Sequence, residues 1–187
     1  MLISLEDVRQ AYHLTYPKLT AIIVSGTYEK PNAMAVSWHT HLSFNPPLYG
    51  VSISPKRYTY ELINRYGDFS VNFMPFGMAE VVWLTGSYSG REVNKFEKFR
   101  LMKLRARKIT APIIAQCLAA LECKVVDKFV TGDHVFFVGE IVHAWVREDT
   151  ILDKKRALLS PDKAQQVYYL GEGIFLTIDA KTERKFE

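Results

Sequence analysis

The sequence predicts a mainly β protein of α+β type, a β-barrel interrupted by a few short helices. Three observations lead there. Much of the chain alternates apolar and polar residues with period 2, or runs in short apolar bursts, as strands with one or two buried faces do. Gly, Pro and Asn clusters punctuate those runs. Two runs long enough for extended strands, Ala119–Phe129 and His134–Val146, flank one turn at Val130–Asp133. Six or more strands with two or three short helices suit a barrel better than a layered α/β fold.

The elements follow in order. Thr20–Ser25 (TAIIVS) reads as a strand closed by a turn containing Gly26, Lys30, Pro31 and Asn32. Met34–Leu42 follows as one strand, ended by the breaker Asn45-Pro46-Pro47. Leu48–Ile53 is the next strand, stopped by Ser54-Pro55. Thr59–Arg65 reads as a short helix with Gly67 at its end and Ser54 as the capping side chain. Asp68–Met74 alternates as a strand, Gly77–Leu84 as a helix, and the polar run Thr85–Asn94 as a loop. After the long hairpin, Tyr168–Ile178 supplies one or two further strands. No repeat or linker marks a boundary, so residues 1–187 read as one domain.

Composition excludes several classes. The chain has 187 residues, 48% apolar and 24% charged, enough to bury a core without a metal or disulfide. Its 24 Lys and Arg against 20 Asp and Glu give a formal charge of +4, a mild excess that suits an anionic small ligand and decides little else. The longest apolar stretch, Val135–Val146, is broken by Glu140 and His143 and is shorter than the roughly 20 residues of a membrane helix. The start, MLISLEDVRQ, lacks the basic and apolar segments of a signal peptide, so a cytoplasmic protein is expected. Cys117 and Cys123 match no CxxC spacing and read as partly buried thiols.

No GxGxxG, GxxxxGK[ST] or GxSxG element is present, which argues against a Rossmann site, a P-loop and a nucleophile elbow. His39 and His41 share a strand face, but no acidic or cysteine ligand lies near them in sequence, so no metal site is expected. The stretch Ser52-Ile53-Ser54-Pro55-Lys56-Arg57-Tyr58-Thr59 is more informative. It puts hydroxyls and two cations where a strand turns into a helix, and free N–H groups at a helix start attract anions. Arg57 adds a fork that can bind phosphate twice. Gly86-Ser87-Tyr88-Ser89-Gly90-Arg91 is a second phosphate-friendly loop.

Four segments in order then carry a resemblance: Asn32–Trp38 after a turn, Ser54–Thr59, Ser89-Gly90 with Lys95-Phe96, and Gly132-Asp133-His134 opening a long strand. From about Tyr16 to Trp145, with an echo at Gln166–Leu170, the chain resembles the flavin reductase-like family of FMN-binding split β-barrels, which includes flavoredoxins and NAD(P)H:flavin oxidoreductases. The resemblance implies a Greek-key-like split barrel and a homodimer binding FMN near the subunit interface, with NAD(P)H as electron donor. It also implies site residues. Asn32, Ala35, Ser37 and Trp38 would face the flavin ring, while Ser52, Ser54, Arg57 and Thr59 would surround the phosphate. Ser89, Lys95 and His134 would line the pocket, with Lys95 near the edge of the ring that gains negative charge on reduction. Tyr168 and Tyr169 compete for the position covering the flavin, and Tyr168 is assigned to it. No side chain is assigned a catalytic role, because the cofactor carries the chemistry.

The function expected is therefore passage of electrons from NAD(P)H through FMN to flavin, iron or a protein acceptor. An FMN-binding electron carrier without reductase activity is the alternative. A small nucleic-acid-binding barrel is disfavoured, because the aromatics do not interleave with Lys and Arg along one strand. The basic run Lys98–Lys108 reads as a connection whose Phe99, Leu101 and Leu104 anchor it to the core. Neither a nucleic acid nor a membrane is expected as partner.

Overall fold

The computed structural model describes residues 2–186. The chain opens with a 3-10 segment, Val8–Thr15, and then forms β1 (Lys18–Leu19), β2 (Ala21–Gly26), β3 (Pro31–Val36), β4 (His39–Phe44) and β5 (Pro47–Ile53). Next come α1 (Tyr58–Tyr66), β6 (Asp68–Phe73), α2 (Ala79–Ser87), α3 (Lys95–Lys98), β7 (Lys103–Leu104) and β8 (Ile113–Ile114). The long hairpin β9 (Ala119–Thr131) and β10 (His134–Val146) is followed by β11 (Ile151–Asp153), β12 (Leu158–Leu159), β13 (Tyr168–Gly171) and β14 (Ile174–Leu176).

Seven strands form one antiparallel sheet in the order β3-β2-β6-β9-β10-β5-β4. Its two edge strands, β3 and β4, are consecutive in the chain and are joined only by Ser37 and Trp38. The three steps from Val36 to His39 span about 10 Å at most, so the sheet must curl until its edges come close. The Ser52 N–H donates to the Trp38 carbonyl at 2.9 Å and ties that corner to β5. The fold is thus a mainly β split barrel with short helices, open at the Ser37–Trp38 corner.

Buried residues sort by alternation along the strands. Ala21, Ile23, Val51, Ile53, Phe69, Val71, Val135 and Phe137 fill the barrel interior. Ile22, Val24 and Ala33 face outward beneath a second layer containing Val82, Phe96, Ile113 and Ile114. The outward residues of β6 stitch that layer down. Asp68 accepts from the N–H groups of Thr110 and Ala111, Ser70 donates to the Pro112 carbonyl, and Asn72 accepts from Ile114 N–H. Glu122 on β9, fully buried, accepts from the N–H groups of Arg107 and Lys108 and from Trp145 Nε1. Glu122 pins the end of the basic run 98–108 at Arg107 and Lys108, and Leu101 anchors it in the core, whereas Leu104 is exposed and does not. Its cations lie toward solvent or over aromatic rings such as Tyr28 and Trp145.

Several sequence expectations need correction. Met34–Leu42 is two strands, because the chain leaves one sheet edge and joins the other at Ser37–Trp38. Pro31 and Asn32 belong to β3 rather than to the turn. Ser54 does not cap α1. Its carbonyl accepts from Arg57 N–H in a preceding turn, and Arg57 occupies the N-cap with no side-chain bond. The expected helix at Gly77–Leu84 begins as a 3-10 turn and continues as α2 through Ser87, which shortens the loop. The helix at Lys95–Lys98, capped by Asn94, lay beyond the reach of periodicity at four residues. Gly67 does end α1, in the left-handed conformation at φ 72°, and Gly132 at φ 67° turns the long hairpin. Both cysteines are buried free thiols, and burial pushes Cys117 up to about 11 and Cys123 up to about 12.

His39 and His41 flank one phenol. His39 Nδ1 lies 2.6 Å from the Tyr49 hydroxyl, and both imidazoles pack against that ring. Burial lowers His39 to about 4, so it is a neutral, partly buried histidine. No group of three or more potential metal ligands occurs among the described residues, and none of their helices is long and apolar enough to cross a membrane.

Candidate functional site

The open corner of the barrel is the floor of a cleft with adjoining lobes. The first lobe, about 280 Å³, is lined by β3 and the corner (Met34 to Trp38), by Ser52, Ile53 and Ser54 at the end of β5, and by Tyr16, Arg57, Gly86, His134 and Tyr169. The second, about 310 Å³, is lined by Asn32, Met34, Lys56, Arg57, Tyr58 and Thr59 on one side and by residues 86–92 and Lys95 on the other. Met34, Arg57 and Gly86 border both lobes.

Eleven of the twelve sequence-predicted residues meet here. Ala35, Ser37, Trp38, Ser52, Ser54 and His134 line the first lobe, Asn32, Thr59, Ser89 and Lys95 the second, and Arg57 both. Tyr168 does not reach the cleft. Neighbouring residues of a strand face opposite ways, and on β13 it is Tyr169 that lines the first lobe.

The second lobe is built to receive an anion. Helix α1 presents its first turn with no side-chain cap. Tyr60 N–H donates to the Arg57 carbonyl, and the N–H groups of Tyr58 and Thr59 are left for a ligand. Lys56 and Arg57 border it, and neither forms a salt bridge with an acidic side chain among the described residues. Arg91 donates to the Lys56 carbonyl at 3.2 Å, pairs with Glu61, and lies over the Tyr58 ring, which clasps the 86–92 loop to α1. Asn32 and Thr59 are fully buried at its base. Asn32 Nδ2 donates to Thr59 Oγ1 at 2.8 Å, and its Oδ1 has no hydrogen-bond partner among the described residues. A buried amide oxygen left unpaired is costly, and this one packs against Gly90 of the 86–92 loop.

Lys95 differs from its expected place beside a ring edge. It is buried in the cationic lobe, with Nζ donating to the Ala33 carbonyl at 2.7 Å and the Thr85 carbonyl at 2.6 Å. It therefore pins β3 to α2. Burial, helped by the nearby Arg57 charge, lowers it to about 8.

Aromatic side chains wall the first lobe. Trp38 Nε1 donates to the Tyr16 hydroxyl at 3.1 Å, and the Trp38 ring lies 5.0 Å from His134. Tyr16 approaches Tyr169 at 5.9 Å, so the N-terminal 3-10 segment and β13 meet over the corner. His134 Nδ1 lies 2.7 Å from the Asp133 carboxylate, which fixes its ring while its other face borders the lobe. Sequence reasoning weighed Tyr169 but assigned Tyr168, and it did not single out Tyr16, Met34 or Val36 as lining residues. Tyr16 and Tyr169 reach the lobe through folding alone. Arg91 and Gly86 stood in the polar run already singled out.

The arrangement can hold a ligand with an anionic end in the second lobe and a flat body over the corner. A model of the flavin reductase like domain matches residues 13–166. An uncharacterised protein of Archaeoglobus fulgidus is 46% identical over 128 residues, covering 68% of this chain and 72% of that protein. The FMN-binding protein from Thermus thermophilus, solved with bound 1-cyclohex-2-enone, is similar at TM-score 0.83 and 31% identity, over 99% of this chain and 97% of that one. Flavoredoxin from Methanosarcina acetivorans is similar at TM-score 0.82 and 28% identity, over 96% and 91% of the two chains. Matched along most of its length in sequence and fold, the chain belongs to the flavin reductase like domain family.

Proposed function

We propose that this chain is an FMN-binding oxidoreductase that passes electrons from NAD(P)H to flavin, iron or a protein acceptor. It does so as a single domain over residues 1–187, in a cytoplasmic homodimer. The observation that carries this reading is the junction, at Arg57, of a cationic lobe on a bare helix start with an aromatic-walled lobe on the barrel corner. A terminal phosphate dianion suits the first of these, because helix N–H groups, Arg57 and Lys56 all present positive charge. The Ser89 hydroxyl beside the Asn32–Thr59 pair at the base of the lobe suits a polyol chain.

A bound flavin would supply the hydride acceptance and electron release that no side chain here can supply. The protein's own part is positioning. Trp38 and Tyr169 give flat apolar faces for a ring, and Ser37, Ser52 and Ser54 give hydrogen-bonding groups along its edge. The test is the absorption spectrum of purified protein after FMN is added and the excess removed, followed by anaerobic addition of NADH or NADPH. Flavin bands that stay with the protein and bleach with a nicotinamide donor support the reading. Retained flavin that neither donor bleaches leaves a carrier rather than a reductase, and a colourless protein overturns tight FMN binding.

A further inference from the structure

A third lobe of the cleft opens beside the ring lobe and shares Ala35, Ser37 and Tyr169 with it. It measures about 360 Å³, shares Arg57 and Gly86 with the other two, and is lined by Thr20, Val82, Trp83 and Phe175, which border neither of them. Its walls are aromatic: Phe175 lies edge-on 6.1 Å from Trp83 and 5.0 Å from Tyr169. Trp83 is 45% exposed, a large apolar surface turned toward solvent at the mouth. The Thr20, Ser37 and Ser87 hydroxyls around the lobe are already engaged. Thr20 Oγ1 donates to the Lys18 carbonyl and sits 2.7 Å from Ser37 Oγ, and Ser87 Oγ donates to the Trp83 carbonyl. The charged donor bordering the lobe is Arg57, whose five N–H groups can serve two lobes at once.

FMN has two parts to house, a phosphate-bearing chain and a ring, and the first two lobes match them. We infer that the third lobe is the site of a second ligand, a small, uncharged, planar quinone or similarly conjugated carbonyl compound that serves as electron acceptor. This rests on the FMN reading above. Flat aromatic walls select a flat apolar body, and Arg57 selects an acceptor oxygen at one end of it. The ligand is uncharged because a phosphate next to Arg57 would already neutralise that cation and repel a carboxylate. In the overall reaction a quinone gains two electrons and two protons to become a hydroquinone. A hydride from NAD(P)H supplies both electrons and one proton, and solvent supplies the other.

The probe is duroquinone, whose fully substituted ring does not add to thiols, measured by equilibrium dialysis against flavin-free and FMN-loaded protein. The expected result is one duroquinone per chain. Trp83→Ala, at a half-exposed position outside both core clusters, should weaken it about tenfold with FMN content unchanged, and Trp83→Phe should restore most of it. Unsaturable binding, binding indifferent to Trp83→Ala, or tighter binding of benzoate than of duroquinone to the loaded protein would each overturn the inference. If the protein retains no FMN, the FMN reading fails by itself, and dialysis against the flavin-free chain still decides whether the lobe binds the quinone.

Discussion

Asn32 turns its buried, unpaired Oδ1 directly at Gly90, so closely that a Cβ on residue 90 would overlap it. The 86–92 loop can therefore lie against β3 only because residue 90 has no side chain. Gly90→Ala should lift the loop from the cationic lobe. The expected outcome is at least a tenfold loss of FMN affinity, ~1.4 kcal/mol, with little change in melting temperature because the loop lies outside both cores. Fluorescence titration with FMN checks it, and unaltered affinity would remove the loop from the site.

Arg57→Ala with Thr59→Ala should strip the phosphate lobe of its central cation and of the hydroxyl that anchors Asn32 Nδ2. A charge-assisted hydrogen bond contributes about 1.5–3 kcal/mol, so flavin retention should drop roughly a hundredfold. Flavin content of the purified double variant is the measurement, and wild-type content would sink the phosphate assignment.

Lys95 gives a pH signature. Its folded value near 8 lies below the ordinary 10.5, so between these the unfolded chain holds more protons and stability of the flavin-free protein should rise with pH across that window. An arriving phosphate favours the charged ammonium, so FMN binding near pH 8.5 should take up protons. The phosphate itself is already dianionic there, its second pKa being about 6. Calorimetry in buffers of different ionisation enthalpy would detect the uptake, and Lys95→Arg should abolish it because guanidinium does not titrate in this range.

Glu122 is buried with three donors aimed at its carboxylate. Glu122→Gln presents an amide N–H₂ to groups that are themselves donors, which should cost about 2–4 kcal/mol of stability. Urea unfolding would show it as a lower midpoint with an unchanged slope. A midpoint matching wild type would mean that the 105–109 segment is held by other contacts.

Local chemistry made much of this molecule legible from its residues. The apolar run in TAIIVS and the alternation in DFSVNFM and the 119–146 hairpin report burial that any packing of those strands would need, and Gly67 ends a helix wherever it lies. The cluster Ser54–Thr59 was readable because phosphate binding needs cations and free N–H groups within one short segment. What the residues alone could not decide depends on distant parts meeting. Nothing in Met34–Leu42 marks a break, since the alternation runs through it. The break at Ser37–Trp38 arises because β3 and β4 are opposite edges of a sheet that must close. Tyr16 and Tyr169 are more than 150 residues apart and meet only because β1 pairs with β13. Lys95 looked free for a cofactor, yet folding brings the carbonyls of Ala33 and Thr85 to it, and an ammonium leaving water takes the acceptors that burial supplies.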